Sequence, residues 1–522
     1  MEELKQVRLN GDLEKAVELI RGVLGMNDDF TVRRFQAFGK YPAAMFFYPN
    51  MIDMSTLNSE ILKPLMYGPP HADVIPDGGD KLRDFLLSET LYHSDIRSEE
   101  LVSKTIGDIL RGQTAVVIEG VEGAILFGTR TIDKRGIDQP ATEQVIRGPR
   151  EGFIELLSTN ISLIRYRLQT PDLRVKTMDI GRRTQSKVAV CSMEGITNPD
   201  LVAEVVRRLE QIDVDAILDS GYLEQYIEDN QMSPFPQVQY TERPDKVVAN
   251  LLEGRVAIIV DGSPLALVVP TVFSQFYQTV EDYTERFLMM SAIRWARLVA
   301  LVFSLVFPSL YVAIISFNPE LIPTEFAVAV AGGRAGVPFP AIIEVLVIEV
   351  SMEVLREATI RLPQQVGGAL SIVGVLVVGQ AAVAAGFASP ITVVIIALTT
   401  IGSFATPAYN AALALRLLRF PLIVLAGIFG LYGVMIGLIL IANHLLSLRS
   451  FGVPYLSPLV PGVLNGMKDL FVRGPLWWMK ARPKLLFPGD SSRIGAQMVE
   501  DLKAPPNNVL DPKKQNDGRE EN

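Results

Sequence analysis

An apolar stretch from Pro338 to Pro363 carries ionisable side chains that could do chemistry inside a membrane. Its sequence is PFPAIIEVLVIEVSMEVLREATIRLP, and its charged residues are Glu344, Glu349, Glu353, Arg356, Glu357 and Arg361. At about 100° per residue in a helix, Glu349, Glu353 and Arg356 share one stripe, with Glu357 at its edge and Glu344 on the other side. An ionised side chain costs about 2.5–3.5 kcal/mol at mid-bilayer, so the stripe should face protein, another copy of the chain, or water.

Two interpretations of these charges remain open at this point. Glu349 and Glu353 could line or gate a cation pathway, as rings of carboxylates do in cation channels, with Arg356 paired to one of them in a closed state. Alternatively, ion pairs of Glu353 with Arg356, or of Glu357 with Arg361, only lock helices together.

Composition limits the classes of protein to which the chain can belong. Its 522 residues predict two to four structural units, and the apolar excess is concentrated after Trp295. A net charge of −9, with no basic run interleaved with aromatics, argues against nucleic-acid binding. A single cysteine excludes an internal disulfide, and three scattered histidines give no zinc spacing. We find no catalytic or nucleotide-binding motif and expect no enzyme activity, cofactor or metal.

The first half of the chain predicts a soluble α/β region. Residues 1–28 form an amphipathic helix, and residues 29–150 and 151–271 form two α/β subdomains. The segments DILRGQTAVVIEGVEGAIL (108–126) and NLLEGRVAIIVDGSPLALV (250–268) align without a gap, which predicts a helix–hairpin unit used twice. A helix over 98–110, capped by Ser98, and strands over 114–119 and 124–127 are also predicted. The N-terminus lacks a signal peptide, so this region should be cytoplasmic.

Residues 272–297 should couple the soluble region to the membrane. An apolar face on this predicted helix opposes a charged one, and the candidate coupling residues are Glu281, Asp282, Tyr283 and Arg286. A plain interfacial anchor is the alternative. Arg294 and Arg297 directly precede the first span, as the positive-inside rule requires.

The region 298–445 predicts a membrane domain of α-helices. Apolar spans are predicted at 298–317 and 422–442, with further apolar stretches at 367–387 and 391–401, the last broken near Pro407. Residues 325–340 are too short to cross and predict a re-entrant segment or outer loop. The number of crossings stays open, because a basic segment at 446–500 argues for a cytoplasmic C-terminus. The tail 501–522 is predicted to be disordered.

Two long motifs carry a resemblance to a known family. These are DAILDSGYLEQYIEDNQMSPFPQVQYTERPDKVVANLLEGRVAIIVDGSPLALVVPTVFSQFYQTVEDYTERF (215–287) and the charged stretch 338–363. They resemble the A subunit of GerA-type nutrient germinant receptors of endospore-forming bacteria, over roughly residues 29–483. An A-subunit-like protein encoded with the SpoVA cluster shares these motifs, and the sequence does not separate the two cleanly. The family usually has EDYY where this chain has Glu281-Asp282-Tyr283-Thr284.

The resemblance implies a fold class, a location and partners. It implies a multi-pass α-helical membrane domain preceded by a cytoplasmic α/β domain of two related subdomains, in the inner membrane of the spore. The implied partners are a transporter-like B subunit, a lipoprotein C subunit, membrane lipid and further copies of the chain in a homo-oligomer. The implied function is a nutrient-gated cation channel that triggers germination. A secondary transporter and a non-conducting receptor scaffold are the alternatives.

Overall fold

Two antiparallel β-sheets form the first half of the molecule. The computed structural model describes residues 3–68, 76, 79–91, 93–131, 139–360 and 379–501. The first sheet contains strands β1 (Thr31–Ala37), β2 (Tyr41–Phe47), β3 (Ile96–Glu99), β4 (Thr114–Ile118) and β5 (Ala124–Phe127), in the order β1-β2-β4-β5-β3. The central strands β4 and β5 are buried along their whole length, which explains their unbroken apolar sequences.

The second sheet repeats the strand order of the first. Its strands are β6 (Leu173–Ile180), β7 (Ser186–Met193), β8 (Gln239–Thr241), β9 (Val256–Val260) and β10 (Ala266–Val269), in the order β6-β7-β9-β10-β8. The aligned segments 108–126 and 250–268 supply the hairpins β4–β5 and β9–β10, which occupy corresponding places. Gly112 and Gly254 follow the preceding helices with φ of +88° and +97°, a conformation that favours glycine.

Helices flank the two sheets. In chain order they are α1 (Leu13–Leu24), α2 (Val102–Leu110), α3 (Leu157–Arg167), α4 (Pro199–Glu210), α5 (Ser220–Ile227) and α6 (Pro244–Glu253). Shorter helical segments lie at Glu3–Gln6, Pro49–Met51, Met54–Thr56, Leu57–Leu62, Lys63–Tyr67, Gly79–Phe85 and Leu86–Thr90. The predicted helix from Ser98 was wrong at its start, because Ser98 pairs with Ile125 in β3 and α2 begins only at Val102.

Helix α1 belongs to the core of the first sheet. Its side chain-capped start at Asp12 and its apolar face, with Leu13, Val17 and Ile20, follow the predicted helical spacing. These residues pack with buried residues of β2 and α2 in one hydrophobic cluster. The amphipathic face of the N-terminal helix is therefore used inside the α/β region.

A buried ion pair joins the two sheet units. Arg165 on α3 donates from Nε and Nη2 to the two carboxylate oxygens of Asp29, at 2.5 and 2.6 Å, and both side chains are buried. The Arg165 guanidinium also lies over the Tyr48 ring, 4.3 Å from its centroid. Since Asp29 and Tyr48 belong to the first unit, this contact fixes the second unit against it.

In the described part of the second half of the chain, five helices have ten or more residues and are rich in apolar side chains. They are α7 (Phe287–Phe317), α8 (Thr324–Arg334), α9 (Ala341–Ile360), α10 (Pro390–Phe404) and α11 (Tyr409–Ser447). Within the described residues, α7 and α11 are long and apolar enough to cross a membrane by length and composition, whereas α10 is shorter. The predicted segment 325–340 contains a short helix, α8. Most of the predicted stretch 367–387 lies outside the described residues.

Helix α11 reverses direction at Gly430, which corrects the predicted straight span over 422–442. Gly430 has φ of +60° and ψ of −141°, which interrupts the helix. A Cβ added at Gly433 would overlap the Leu425 carbonyl, and one at Gly437 would overlap the Leu422 side chain. The arms 409–429 and 431–447 therefore pack against each other as a hairpin whose two ends lie on the same side.

That side is the one next to the second sheet, which we call the proximal end of the bundle. The Ala408 amide donates to the Phe276 carbonyl at 3.3 Å, and Ser233 Oγ lies 2.9 Å from His444 Nε2. The predicted coupling helix 272–297 was wrong as a single element. It consists of the turns Phe273–Phe276 and Glu281–Thr284 and the first turns of α7.

After α11 the chain returns to the α/β region. A small hairpin of β11 (Arg449–Ser450) and β12 (Val453–Pro454) is followed by helical turns at Leu464–Met467, Leu476–Trp478, Lys484–Leu486 and Ala496–Asp501. Tyr455 is fully buried, and its hydroxyl donates to the Pro236 carbonyl at 2.7 Å. The C-terminal segment is thus packed against the same face from which the bundle departs.

Candidate functional site

Glu349, in the middle of α9, is paired with an arginine from a different helix. Arg419, on the first arm of α11, donates from Nη1 to both Glu349 carboxylate oxygens, at 2.8 and 3.0 Å. Both side chains are buried, with 6% and 2% of their surface exposed. Helix α9 presents Glu349 to α11 because the apolar residues Val347 and Val350 occupy its exposed side.

Glu353, one turn further along α9, has two arginine partners. Arg356 Nη1 donates to one oxygen at 2.9 Å, and Arg416 Nε lies 3.6 Å from the other. Glu357 is exposed at the end of the stripe, and Arg361 lies outside the described residues. The predicted stripe is thus a set of ion pairs between α9 and α11.

Glu344 belongs to a separate polar cluster at the other end of α9. It is buried, accepts a 2.5 Å hydrogen bond from the Ser389 amide at the start of α10, and lies 3.3 Å from Arg334 Nε. The Thr392 hydroxyl is 3.0 Å from both the Ser389 and the Tyr311 hydroxyls. A carboxylate at the beginning of α10 also interacts favourably with the helix dipole. This cluster ties the distal ends of α7, α9 and α10 together.

The ion-pair cluster carries a surplus of positive charge. In the described part of the chain, Arg356, Arg416 and Arg419 surround only Glu349 and Glu353. Nε and Nη2 of Arg416 and of Arg419 are buried and have no hydrogen-bond partner among the described residues. In this arrangement the two carboxylates are neutralised by their neighbours, so they present little net negative charge to a passing cation.

Aromatic rings place this cluster toward the proximal end of the bundle. The Arg356 guanidinium lies over the Phe404 ring at 5.1 Å, and the Arg416 guanidinium over the Tyr409 ring at 5.5 Å. Phe404 ends α10 and Tyr409 begins α11, so both rings flank the break at 405–408. The ion pairs therefore lie next to the helix break that contacts Phe276, in the segment 272–297, which we call the coupling segment.

The predicted coupling residue Asp282 is the centre of a second buried charge cluster. It is fully buried and pairs with Arg294, at 2.9 Å, and with Arg297. Arg294 also contacts Asp469 of the C-terminal segment at 2.8 Å. Arg294 thus pairs with one carboxylate that precedes it in the sequence, Asp282, and with one that follows it, Asp469, while Arg297 shares Asp282.

The other three predicted coupling residues have different surroundings. The Tyr283 hydroxyl donates to Asp469 at 2.5 Å, and burial together with this carboxylate raises the pKa of Tyr283 well above its usual value. Glu281 accepts a 2.6 Å hydrogen bond from the Ile146 amide, in the loop before the second sheet. Arg286 is exposed at the start of α7.

Sequence reasoning missed Arg416, Arg419 and Asp469. The first two are spaced three residues apart in an otherwise apolar run, so they share one face of a helix, and that signal pointed to buried partners. Asp469 had no comparable signal, because it lies in an irregular segment. In the described ranges, no group of three or more His, Cys, Asp or Glu side chains could hold a metal ion.

A family model decides the chain's relationship to known proteins. The model described as Bacillus/Clostridium GerA spore germination protein matches residues 18–485. The chain belongs to the GerA family. The resemblance read from residues 215–287 and 338–363 is thereby confirmed.

Individual relatives are similar over most of their length. Spore germination protein KA of Bacillus subtilis (strain 168) is 41% identical over 95% of this chain and 90% of its own length. Spore germination protein GerLA of Bacillus cereus is 38% identical over 94% of this chain and 98% of its own. The Bacillus subtilis membrane protein YfkQ is 44% identical over 81% of this chain and 82% of its own.

One solved structure matches about half of the chain. It is the crystal structure of the N-terminal domain of the A subunit of the Bacillus megaterium spore germinant receptor GerK3. The match covers 51% of this chain and 97% of that chain, with 29% identity and a TM-score of 0.39.

Proposed function

We propose that this GerA-family protein is the membrane subunit of a spore germinant receptor complex that opens a cation pathway when nutrient is detected. The bundle spans the inner membrane of the spore several times, with both sheets on the cytoplasmic side. The chain assembles with copies of itself and with transporter-like B and lipoprotein C subunits. Family membership and the apolar composition of α7 and α11 support this placement.

The observation that carries the mechanism is the pairing of Glu349 with Arg419 across two apolar helices. A buried ion pair is costly to form, and removing one partner costs about 3–5 kcal/mol because the other charge is left unpaired. Glu353 has two arginine partners, Arg356 and Arg416, and a charge with two alternative partners can exist in either of two paired states. In this proposal the described arrangement is the closed state, and the pairs of Glu349 and Glu353 hold it closed.

Opening would separate α9 from the first arm of α11. The carboxylates freed in this way would face the pathway and attract cations, while the arginines turn to other partners. The coupling segment reaches this cluster through the break at 405–408, since Ala408 is bonded to Phe276. A rearrangement in the sheets or in a partner subunit can thus act on the ion pairs through a short path.

The test is nutrient-triggered potassium release from spores that carry variants at matched protein level. Glu349→Gln and Glu353→Gln weaken the closed state, so we expect release that starts without nutrient or at lower nutrient concentration. The exchange of charges in Glu349→Arg with Arg419→Glu should restore nutrient dependence in part. Glu325→Gln, which changes an exposed carboxylate of α8 outside the ion-pair cluster, is the matched control and should behave as wild type.

Other outcomes point to the alternative functions. Unchanged release and unchanged nutrient dependence in both glutamine variants would remove these carboxylates from the mechanism and favour a scaffold. Saturable uptake of nutrient in fixed proportion to ion movement would show a transporter. Loss of the protein from the membrane in all variants would mean that the pairs serve only to hold the bundle together.

A further inference from the structure

We infer that the C-terminal segment 468–487 is a membrane-surface module that binds an anionic lipid interface beside the first turns of α7. Exposed apolar side chains from both elements form one patch, which we call the tryptophan patch: Leu288, Met289, Trp295, Leu476, Trp477 and Trp478. The inference rests on the proposed membrane placement of α7. It does not depend on ion conduction.

The patch is a continuous surface because the two elements are fastened together. The Trp477 ring meets the Phe287 ring edge-on at 6.2 Å, and the Trp295 ring stacks on Phe471 at 6.0 Å. Ser291 Oγ donates to the Arg473 carbonyl at 3.1 Å. The C-terminal segment therefore lies along α7 at a fixed position.

The length of α7 places the patch at the membrane surface. A helix of 31 residues is about 46 Å long, whereas a bilayer's hydrocarbon core is about 30 Å thick. If the apolar part after Arg297 crosses the core, the preceding turns extend through the headgroup region. Leu288 and Met289 lie on those turns with 71% and 64% of their surface exposed.

The side chains of the patch suit a lipid interface better than water or a hydrocarbon core. Trp477 and Trp478 are 45% and 56% exposed, and tryptophan is enriched where an apolar ring can be buried while its N–H stays hydrated. Lys468, Lys480 and Lys484 are exposed on the same segment. Lysines near a membrane surface are attracted to anionic headgroups. We therefore infer that an anionic bilayer, rather than a groove of another protein, covers the tryptophan patch.

The C-terminal segment also holds the buried charge cluster around Asp282 in place. Asp469 is part of the segment and pairs with Arg294, while the Tyr277 hydroxyl donates to the Leu470 carbonyl at 3.2 Å. Attachment of the segment to the bilayer thus fixes the turns before α7 relative to the membrane plane. Anionic lipid should then further stabilise the described arrangement of the coupling segment.

The test uses the three tryptophans of the chain, all of which lie in the patch. The full-length protein is reconstituted into vesicles of phosphatidylcholine and phosphatidylglycerol that contain phosphatidylcholine brominated near the headgroup end or near the methyl end of its acyl chains. Trp295→Phe leaves Trp477 and Trp478 as reporters, and the pair Trp477→Phe with Trp478→Phe leaves Trp295. The unsubstituted chain gives the summed fluorescence of all three tryptophans.

We expect the Trp477 and Trp478 reporters to be quenched by the shallow bromines more than by the deep ones, and to be shielded from aqueous iodide. Raising the salt from 0.1 M to 1 M shortens the Debye length from about 10 Å to about 3 Å, so shallow quenching should fall. The triple variant Lys468→Gln, Lys480→Gln and Lys484→Gln should reduce quenching in the same direction at low salt.

Two results would overturn the inference. Free access of iodide to Trp477 and Trp478 would show that they face water, and shielding from both iodide and brominated lipid would show that protein covers them. In either case a Trp295 reporter that is still quenched by lipid leaves the membrane placement of α7 intact. If Trp295 is not quenched either, the proposed membrane placement itself fails.

Discussion

Removing the carboxylate of Asp282 should release the C-terminal segment from the start of α7. Asp282 is fully buried and holds Arg294 and Arg297, so Asp282→Asn leaves two arginines short of a counter-charge. Breaking a buried pair costs about 3–5 kcal/mol. Arg294 keeps its contact with Asp469, whose side chain is 29% exposed, so we expect the low end of this range, about 3 kcal/mol.

That energy predicts a large change in how often the segment opens. At about 1.4 kcal/mol for each factor of ten, about 3 kcal/mol corresponds to roughly a 150-fold larger open population. Trypsin cleavage after Lys468 and Arg473 in the full-length protein in detergent measures this opening. When opening and closing are fast relative to cleavage, the cleavage rate follows the open population. The Asp282→Asn rate should therefore rise about 150-fold.

A matched control lies three residues away. Glu285 makes an exposed pair with Arg147 at 3.5 Å, and such a pair contributes at most about 1 kcal/mol. Glu285→Gln should thus raise cleavage no more than about five-fold. A rate for Asp282→Asn in the same small range would refute the idea that this carboxylate holds the segment.

Three further perturbations test other parts of the structure. Gly433→Leu should prevent the two arms of α11 from packing, so we expect loss of folded full-length protein in detergent by size-exclusion chromatography. Gly332→Leu on α8, where an added Cβ would meet nothing within 4 Å, should be milder. Burial, together with nearby carboxylates, raises the pKa of Glu224 to about 8, whereas the unfolded group ionises near 4.5. The free energy of unfolding should therefore fall as pH rises between these two values. The thermal midpoint of Glu224→Gln should lack this part of the pH dependence. Asp29→Ala leaves Arg165 unpaired in the interior and should cost about 3–5 kcal/mol in denaturant unfolding followed by circular dichroism.

The strands of both sheets were predictable because their sequence signal is local. The runs Val256–Val260 and Ala266–Val269 are apolar, short and bounded by glycine or aspartate turns, and they are strands at those positions. Ser98 shows where local reasoning fails. Its type suits a helix cap, but its pairing with Ile125 in the sheet determined its conformation.

The bundle was less predictable because hydropathy does not distinguish one straight span from two shorter arms. Residues 422–442 are apolar throughout, and the reversal depends on the backbone at Gly430. The spacing of Gly427, Gly430, Gly433 and Gly437 was the available sign of close helix packing. The pair of Glu353 with Arg356 lies within one helical turn and was among the predictions. The partners on α11, Arg419 for Glu349 and Arg416 for Glu353, are distant in the sequence, and such contacts leave no periodic pattern.

The return of α11 to the proximal side gives the molecule a particular mechanical character. The chain leaves the second sheet at Thr271 and comes back at Ser450, and these two residues touch, since the Thr271 amide donates to Ser450 Oγ at 2.9 Å. Ser450 Oγ in turn donates to the Gln237 carbonyl at 2.7 Å. The chain therefore enters and leaves the bundle at one place on the second sheet. A displacement of this place should act on the start of α7 and the end of α11 together, so a tilt of the second sheet should be transmitted to both helices as one movement.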